Sequence, residues 1–241
     1  MSKSTIEFLT DKNIFVFDTE TTGLPEKSTK WGTYWDYKLN DKYDSSRIVS
    51  IAWSSIKNFD RNNIDTNINN INHHIRYPEG FNSIETTHIH GISFEEAIQK
   101  GIPFGYILET HKLASALLNA DYIVAHNVKF DYHVLMNELF RFVNNNEQFI
   151  TITPNIKEKA QMCINHIENL NNNNRIICTG EISTPICKMS FPSANKYLGK
   201  KINYKMPKLC ELYKYFYGYD FENAHSASGD VKALLECLQK L

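Results

Sequence analysis

Two spacings of apolar residues alternate along the chain. Ile14-Phe15-Val16-Phe17 is a run of β-forming residues that ends in an acidic, Thr-rich turn holding Gly23 and Pro25. That is how a buried strand enters a loop. Residues 26–46 are polar, with Trp31, Tyr34, Trp35 and Tyr37 set among charges, and read as a long loop. Ile48 to Ile56 forms a second strand. Asn58 to Asn72 is Asn-rich and turn-like, as at a hairpin tip, and His73 to Tyr77 forms a third strand. Ser93, followed by Glu95 and Glu96, opens a helix as an N-cap with an acidic first turn. Residues 106–119 keep helical spacing through Ile107, Leu108, Leu113, Leu117 and Leu118. Tyr122-Ile123-Val124-Ala125 is a fourth, buried strand. It runs through His126-Asn127 into a helix with apolar positions Phe130, Val134, Leu135, Leu139 and Phe142.

Residues 144–182 break the pattern. The Asn runs 144–146 and 171–174 flank one amphipathic stretch, 156–170, so this part reads as an Asn-rich insertion with mobile ends in a single domain spanning 1–241. Ile186 to Met189 is assigned as the fifth strand, and helices follow at about 191–198, 207–217 and 227–240. No period of 20–50 residues repeats. Strands and helices alternate, with the first three strands adjacent in sequence. This predicts an α/β fold with a mixed five-stranded sheet, its first hairpin antiparallel and its later strands parallel.

Composition narrows the class only a little. A hydrophobic share of 42% and a charged share of 22% over 241 residues are ordinary for a globular protein that buries a proper core. The formal net charge of -1 does not exclude a nucleic-acid enzyme, because carboxylates gathered around metal ions offset a basic rim. Cys163, Cys178, Cys187, Cys210 and Cys237 form no CxxC pair and read as reduced thiols. Met1 to Leu9 has no apolar signal-peptide core, and no apolar run is long enough for a membrane helix. The expected location is intracellular, cytoplasmic or nuclear, without secretion.

Three short segments carry candidate chemistry. Asp18 and Glu20 lie two apart at the end of the first strand, so both side chains face one way. There they reach the C-terminal sheet edge where α/β folds place ligands. Crowded carboxylates repel, and a divalent cation relieves them. The plain alternative is a solvated acidic loop. Asp131 enters a helix just after the fourth strand, where a helix N-terminus also favours an acid for its own sake. His126, beside it, reads as a hydrogen-bonded structural residue. Asp230 enters the last helix, with His225 five residues earlier, near the loop. A loop histidine of ordinary pKa about 6.5 suits removal of a proton from water; the alternative is a Ser-capped helix and a chance histidine. Taken together, four acids fall at the ends of four elements able to meet at one edge, where two metal ions can clamp a phosphate.

Asp18-Thr-Glu20-Thr-Thr-Gly23-Leu24, His126-Asn127-x-x-Phe130-Asp131 and His225-Ser-Ala-x-x-Asp230 resemble, in order, the three motifs of the DEDDh 3′–5′ exonucleases. That family is ribonuclease H-like and includes polymerase proofreading subunits, ribonuclease T and the three-prime repair exonucleases. His88-Ile-His90-Gly-Ile92 and Pro207-Lys-Leu-Cys-Glu-Leu-Tyr213 resemble further family segments. Only 26–46 and 144–182 are unmatched.

The resemblance implies that Asp18, Glu20, Asp131 and Asp230 hold two Mg²⁺ or Mn²⁺ ions and that His225 is the general base. It implies that Thr21 and Thr22 grip the terminal sugar, that Leu24 wedges beside the last base, and that His90, Asn127 and Phe130 line the pocket. For Leu24 and Phe130, core packing stands as the alternative. The implied reaction is hydrolysis of the 3′-terminal phosphodiester of DNA or RNA, with DNA favoured and a single-stranded end preferred, releasing nucleoside 5′-monophosphates. Two other readings stand beside it: a proofreading subunit docked to a polymerase through 144–182, and a non-catalytic nucleic-acid-binding module. The aromatic loop 31–37 either stacks on unpaired bases or folds onto the body.

Overall fold

The computed structural model describes residues 5–30, 32–144, 155–190 and 204–241. Trp31 and the helix expected at 191–198 lie outside the described residues. The strands are β1 (Ile14–Thr21), β2 (Ile48–Ile56), β3 (Asn72–Ile75), β4 (Tyr122–Ala125) and β5 (Ile176–Cys178). They form one sheet in the order β3-β2-β1-β4-β5. The β1–β2 and β2–β3 pairs are antiparallel, whereas β1–β4 and β4–β5 are parallel. The mixed five-stranded α/β sheet expected from the sequence is therefore present.

The helices among the described residues are α1 (Thr87–His90), α2 (Phe94–Lys100), α3 (Phe104–Glu109), α4 (Leu113–Leu118), α5 (Val128–Asn144), α6 (Ile156–Asn172), α7 (Thr179–Cys187), α8 (Leu209–Tyr217) and α9 (Ala227–Lys240). The period-2 alternation of β1 sorts its side chains between two cores. Phe15 and Phe17 pack in one core with Val134, Leu135 and Leu139 of α5 and with α6. Ile14 and Val16 pack in the other, with Val231, Leu234, Leu235 and Leu238 of α9. One face of the sheet thus belongs to α5 and α6, and the other to α9.

Several boundaries differ from the sequence expectation. The strand assigned to 186–189 is not present: α7 runs to Cys187 and Lys188 caps it in a left-handed conformation, φ 49°. The fifth strand is Ile176–Cys178, paired to β4 from Ile123 to Ala125. Part of the segment read as an insertion is therefore integral to the fold. Ile156, Ala160, Cys163, Ile164, Ile167 and Leu170 of α6 are all buried in the α5-side core. The helical spacing at 106–119 is divided between α3 and α4 by Lys112, φ 65°. Ser93 caps α2 as expected, its hydroxyl accepting from the Glu96 N–H at 3.1 Å.

A buried charge cluster ties α5 to the sheet. Glu138 is 1% exposed and takes Arg47 Nε at 2.7 Å and the Ile48 N–H at 3.1 Å, with Arg76 Nη1 at 2.7 Å. Burial alone would raise its carboxyl, but Arg47 and Arg76 outweigh it and hold it at about 2. Nothing in the local sequence pattern marks these three residues as partners.

Candidate active site

β1 outruns its neighbour. Its pairing with β4 ends at Val16↔Val124, while β1 continues to Thr21. Past that point α5 begins on the β4 side, and Asp131 takes the place of a ladder partner. Asp131 Oδ1 accepts the Thr19 backbone N–H at 3.1 Å and the Thr19 hydroxyl at 2.7 Å. The alternation that sends Ile14 and Val16 toward α9 also sends Asp18 and Glu20 there, and Asp230 stands in the first turn of α9. Carboxylate oxygens of Asp18, Glu20 and Asp230 lie within 4.8 Å of one another. Asp131, on Thr19, arrives from the opposite face around the end of β4.

The electrostatics bear the marks of crowding. Asp18 is held well above the usual carboxylate range, first by burial and then by the charges of Asp131, Asp230 and Glu20. Glu20 is raised to about 8 by burial and then by Asp230 and Asp131. Burial lifts Asp131 to about 7 although the Thr19 bonds oppose it, and Asp230 rises to about 7 for the same first reason, opposed by the His225 backbone. Four acids that resist ionising together are suited to a divalent cation, which supplies the missing positive charge through oxygen ligands. Asp18, Glu20 and Asp230 form a group able to bind one.

His225 sits on an exposed turn before α9, in the left-handed region at φ 65°. The turn is shaped by Gly229. A Cβ there would lie 2.3 Å from the Asn223 carbonyl oxygen, so the helix and the turn approach this closely only without one. Gly23 does the same at the first motif, where a Cβ would meet the Ser45 carbonyl oxygen at 2.7 Å.

The six other expected residues divide. Leu24 is 72% exposed, so it is free of the core. Phe130 is half-buried and packs against the α5-side core. Thr21 and Thr22 are buried and already engaged: Thr21 donates to the Gly23 carbonyl at 2.7 Å, and Thr22 to that of Ser45 at 3.0 Å. Asn127 is exposed, in a left-handed conformation at φ 58° that turns the chain into α5. His90 joins a relay. Its Nδ1 accepts the Ile92 N–H at 3.1 Å, so the proton lies on Nε2, 3.0 Å from the Thr86 hydroxyl, which in turn donates to the Thr21 carbonyl. Burial lowers the His90 pKa, in keeping with a neutral ring.

His126 is structural, as expected. Its Nε2 donates to the Pro207 carbonyl at 2.9 Å and its Nδ1 lies 3.0 Å from the Thr179 hydroxyl. Thr19, Thr86 and Gly229 support the site without being among the candidates expected from the sequence. Thr19 and Gly229 lie inside the quoted motifs, so their position was the available signal.

A family model described as "Exonuclease" matches residues 15–238. No curated protein sequence matches the chain. Among solved structures, E. coli Exonuclease I in complex with a dA16 oligonucleotide is similar at TM-score 0.52 and 16% identity, over 93% of this chain and 39% of that one. E. coli Exonuclease I in complex with a 5cy-dT13 oligonucleotide gives TM-score 0.54 and 15% identity, over 94% and 40%. At these identities the likeness shows the fold. The chain spans about two fifths of the length of those proteins.

Proposed function

The chain belongs to the exonuclease family, and on that footing we propose that it removes nucleotides from the free 3′ end of a single strand by metal-dependent hydrolysis. The observation that carries this reading is the meeting of Asp18, Glu20 and Asp230 within 4.8 Å beside Asp131. Asp18, Glu20, Asp131 and Asp230 would hold two Mg²⁺ or Mn²⁺ ions, whose chemistry is activation of water and neutralisation of charge on the phosphate oxygens. DNA is the favoured polymer, from the likeness to Exonuclease I bound to dA16 and dT13.

The chain's own residues supply the rest. Thr19 fixes the Asp131 carboxylate, leaving Oδ2 without a Thr19 bond. His225, exposed on its turn, takes the proton of the attacking water at an imidazole nitrogen. Leu24, exposed at the end of the first motif, wedges against the terminal base. Thr21 and Thr22 present backbone positioned by their own hydroxyl bonds. Neutral His90 holds the Thr21 carbonyl through Thr86, while Asn127 and Phe130 shape the wall from the start of α5. The product is a nucleoside 5′-monophosphate. A polymerase-docking role for 144–182 gains no support from α6, whose buried apolar residues already serve the body's core.

The test uses 5′-labelled single strands of DNA and RNA, with free or blocked 3′ ends, in Mg²⁺ or EDTA. A ladder that shortens from free 3′ ends only, and only with Mg²⁺, is expected. Internal cuts, or cleavage indifferent to the 3′ block, would contradict the reading.

A further inference from the structure

Two cavities are lined by segments that also carry the candidate site, and they differ in chemistry. One, of about 310 Å³, reaches Thr22 and carries Asp44 and Glu85 on its wall. The other, of about 400 Å³, lies between Thr33-Tyr34 and the first two turns of α5, with Lys129, Tyr132 and His133 on its wall. Both volumes fall in the range of ligand sites. The first wall carries two carboxylates and no lysine or arginine, whereas the second sets Lys129 against its single carboxylate, Glu181, and adds aromatic rings on which an unpaired base can stack.

The second cavity shares the start of α5 with the candidate active site. Lys129 and Tyr132 flank Asp131 on α5, and Tyr34 is near enough for the Asp131 charge to add to burial in raising its phenol. Tyr34 stacks on the His133 ring at 4.8 Å and 22°, and Tyr132 meets His133 edge-on at 4.9 Å and 82°. The His133 ring is fixed, because its Nδ1 donates to the Lys129 carbonyl at 2.7 Å. Lys129 pairs with Glu181 at 2.9 Å, but both side chains are more than half exposed, so the pair is weak and yields readily to a phosphate.

The loop's other described aromatics are committed elsewhere. Trp35 donates its Nε1–H to the Lys27 carbonyl at 3.3 Å under the Lys42 ammonium, Tyr37 is 7% exposed and donates to Glu168, and Tyr43 donates to the Trp35 carbonyl. They anchor the loop and leave Tyr34 at the cavity.

We infer that this cavity is a subsite for one unpaired nucleobase upstream of the 3′-terminal nucleotide. The base stacks against the Tyr34–His133 pair, with its phosphate near Lys129. The inference rests on the exonuclease reading of the acidic cluster and extends it along the strand.

The test is a scan of abasic sites. Fluorescent single strands of DNA and of RNA, each lacking one base at a successive position from the 3′ end, are bound to the full chain in Ca²⁺, and affinity is read by anisotropy with strand integrity checked on a gel. One internal position near the 3′ end is expected to weaken binding roughly 5- to 150-fold when its base is missing. In Tyr34→Ala that sensitivity disappears, while Tyr34→Phe keeps it. A scan that is flat beyond the terminal base, or an absence of binding, overturns the subsite, and the scan on unmutated protein does not depend on how any variant folds. Shortening of 3′ ends in Mg²⁺ is read separately. If the chain shortens strands and the scan is flat, only the subsite falls; if it shortens none, the exonuclease reading falls with it.

Discussion

Thr19 donates twice to one oxygen of Asp131, from its backbone at 3.1 Å and from its hydroxyl at 2.7 Å. The backbone bond survives any substitution at position 19 except proline, but the hydroxyl bond is lost without Ser or Thr. Thr19→Val is therefore expected to keep the fold and to let the Asp131 carboxylate turn. The loss is expected to be about 10- to 100-fold in metal affinity or turnover, the usual cost of removing an outer partner of a metal ligand. Thr19→Ser should restore most of it. Metal titration by calorimetry, run beside circular dichroism, checks both halves. Equal Mg²⁺ affinity in Thr19→Val and the unmutated chain would refute the positioning role.

The raised acids set a pH dependence for the metal-free protein. Glu20 at about 8, and Asp131 and Asp230 at about 7, lie above their unfolded values. Their contribution to stability is complete below the unfolded carboxylate range and is lost as pH rises through about 7 to 8. In EDTA, Tm should fall across that window. With Mg²⁺ the fall should shrink, because the cation binds the ionised acids and stabilises the folded state. Asp230→Asn should lose most of the Mg²⁺-dependent rise. Thermal melts across pH with and without Mg²⁺ decide this; a Mg²⁺ effect independent of pH would count against the shared cluster.

Glu138 has the opposite sign. Its carboxyl is held at about 2, below the unfolded value near 4.5. Its contribution is present above about pH 4.5 and is lost as pH falls toward about 2. Glu138→Ala leaves Arg47 and Arg76 buried without their shared anion, at a cost of about 3–5 kcal/mol. Urea denaturation at neutral pH measures that cost. A change under about 1 kcal/mol would show that the arginines find other partners.

Gly229 tests the His225 turn. Gly229→Ala places a methyl against the Asn223 carbonyl, so the 223–225 turn must move. Turnover is expected to fall by about 10- to 100-fold, since a displacement near 1 Å at a reacting group can cost about 100-fold. Metal-dependent stabilisation should persist, because the 223–225 turn gives way while Asp230 keeps its place on α9 and Asp18, Glu20 and Asp131 stand on other elements. Loss of the metal effect together with activity would place the damage in the helix instead.

The parts of the fold legible in the sequence are those with strong local periodicity. β2 and β4 appear with the bounds their apolar runs give, and Ser93 caps its helix. The acids were legible because β1 keeps its two-residue alternation through Asp18 and Glu20, carrying the pattern that buries Ile14 and Val16 into the site. β5 was missed because three residues beside an Asn run give no period, whereas Ile186 and Met189 mimic one at the end of a helix. The Glu138 cluster was invisible because Arg47 lies 91 residues away along the chain, and only tertiary packing brings the charges together. The same holds for Tyr34 and His133, which meet across the cavity without a shared motif.

The most direct measurement compares mononucleotide release from a 3′-free single strand by the unmutated chain and by Asp18→Asn, in Mg²⁺, at matched stability. Steady release of nucleoside 5′-monophosphates is expected from the first, and a loss of at least about 100-fold in the second, beyond what outer partners of a metal site cost. Equal release by the two proteins, or none by the unmutated chain in either Mg²⁺ or Mn²⁺, would contradict it.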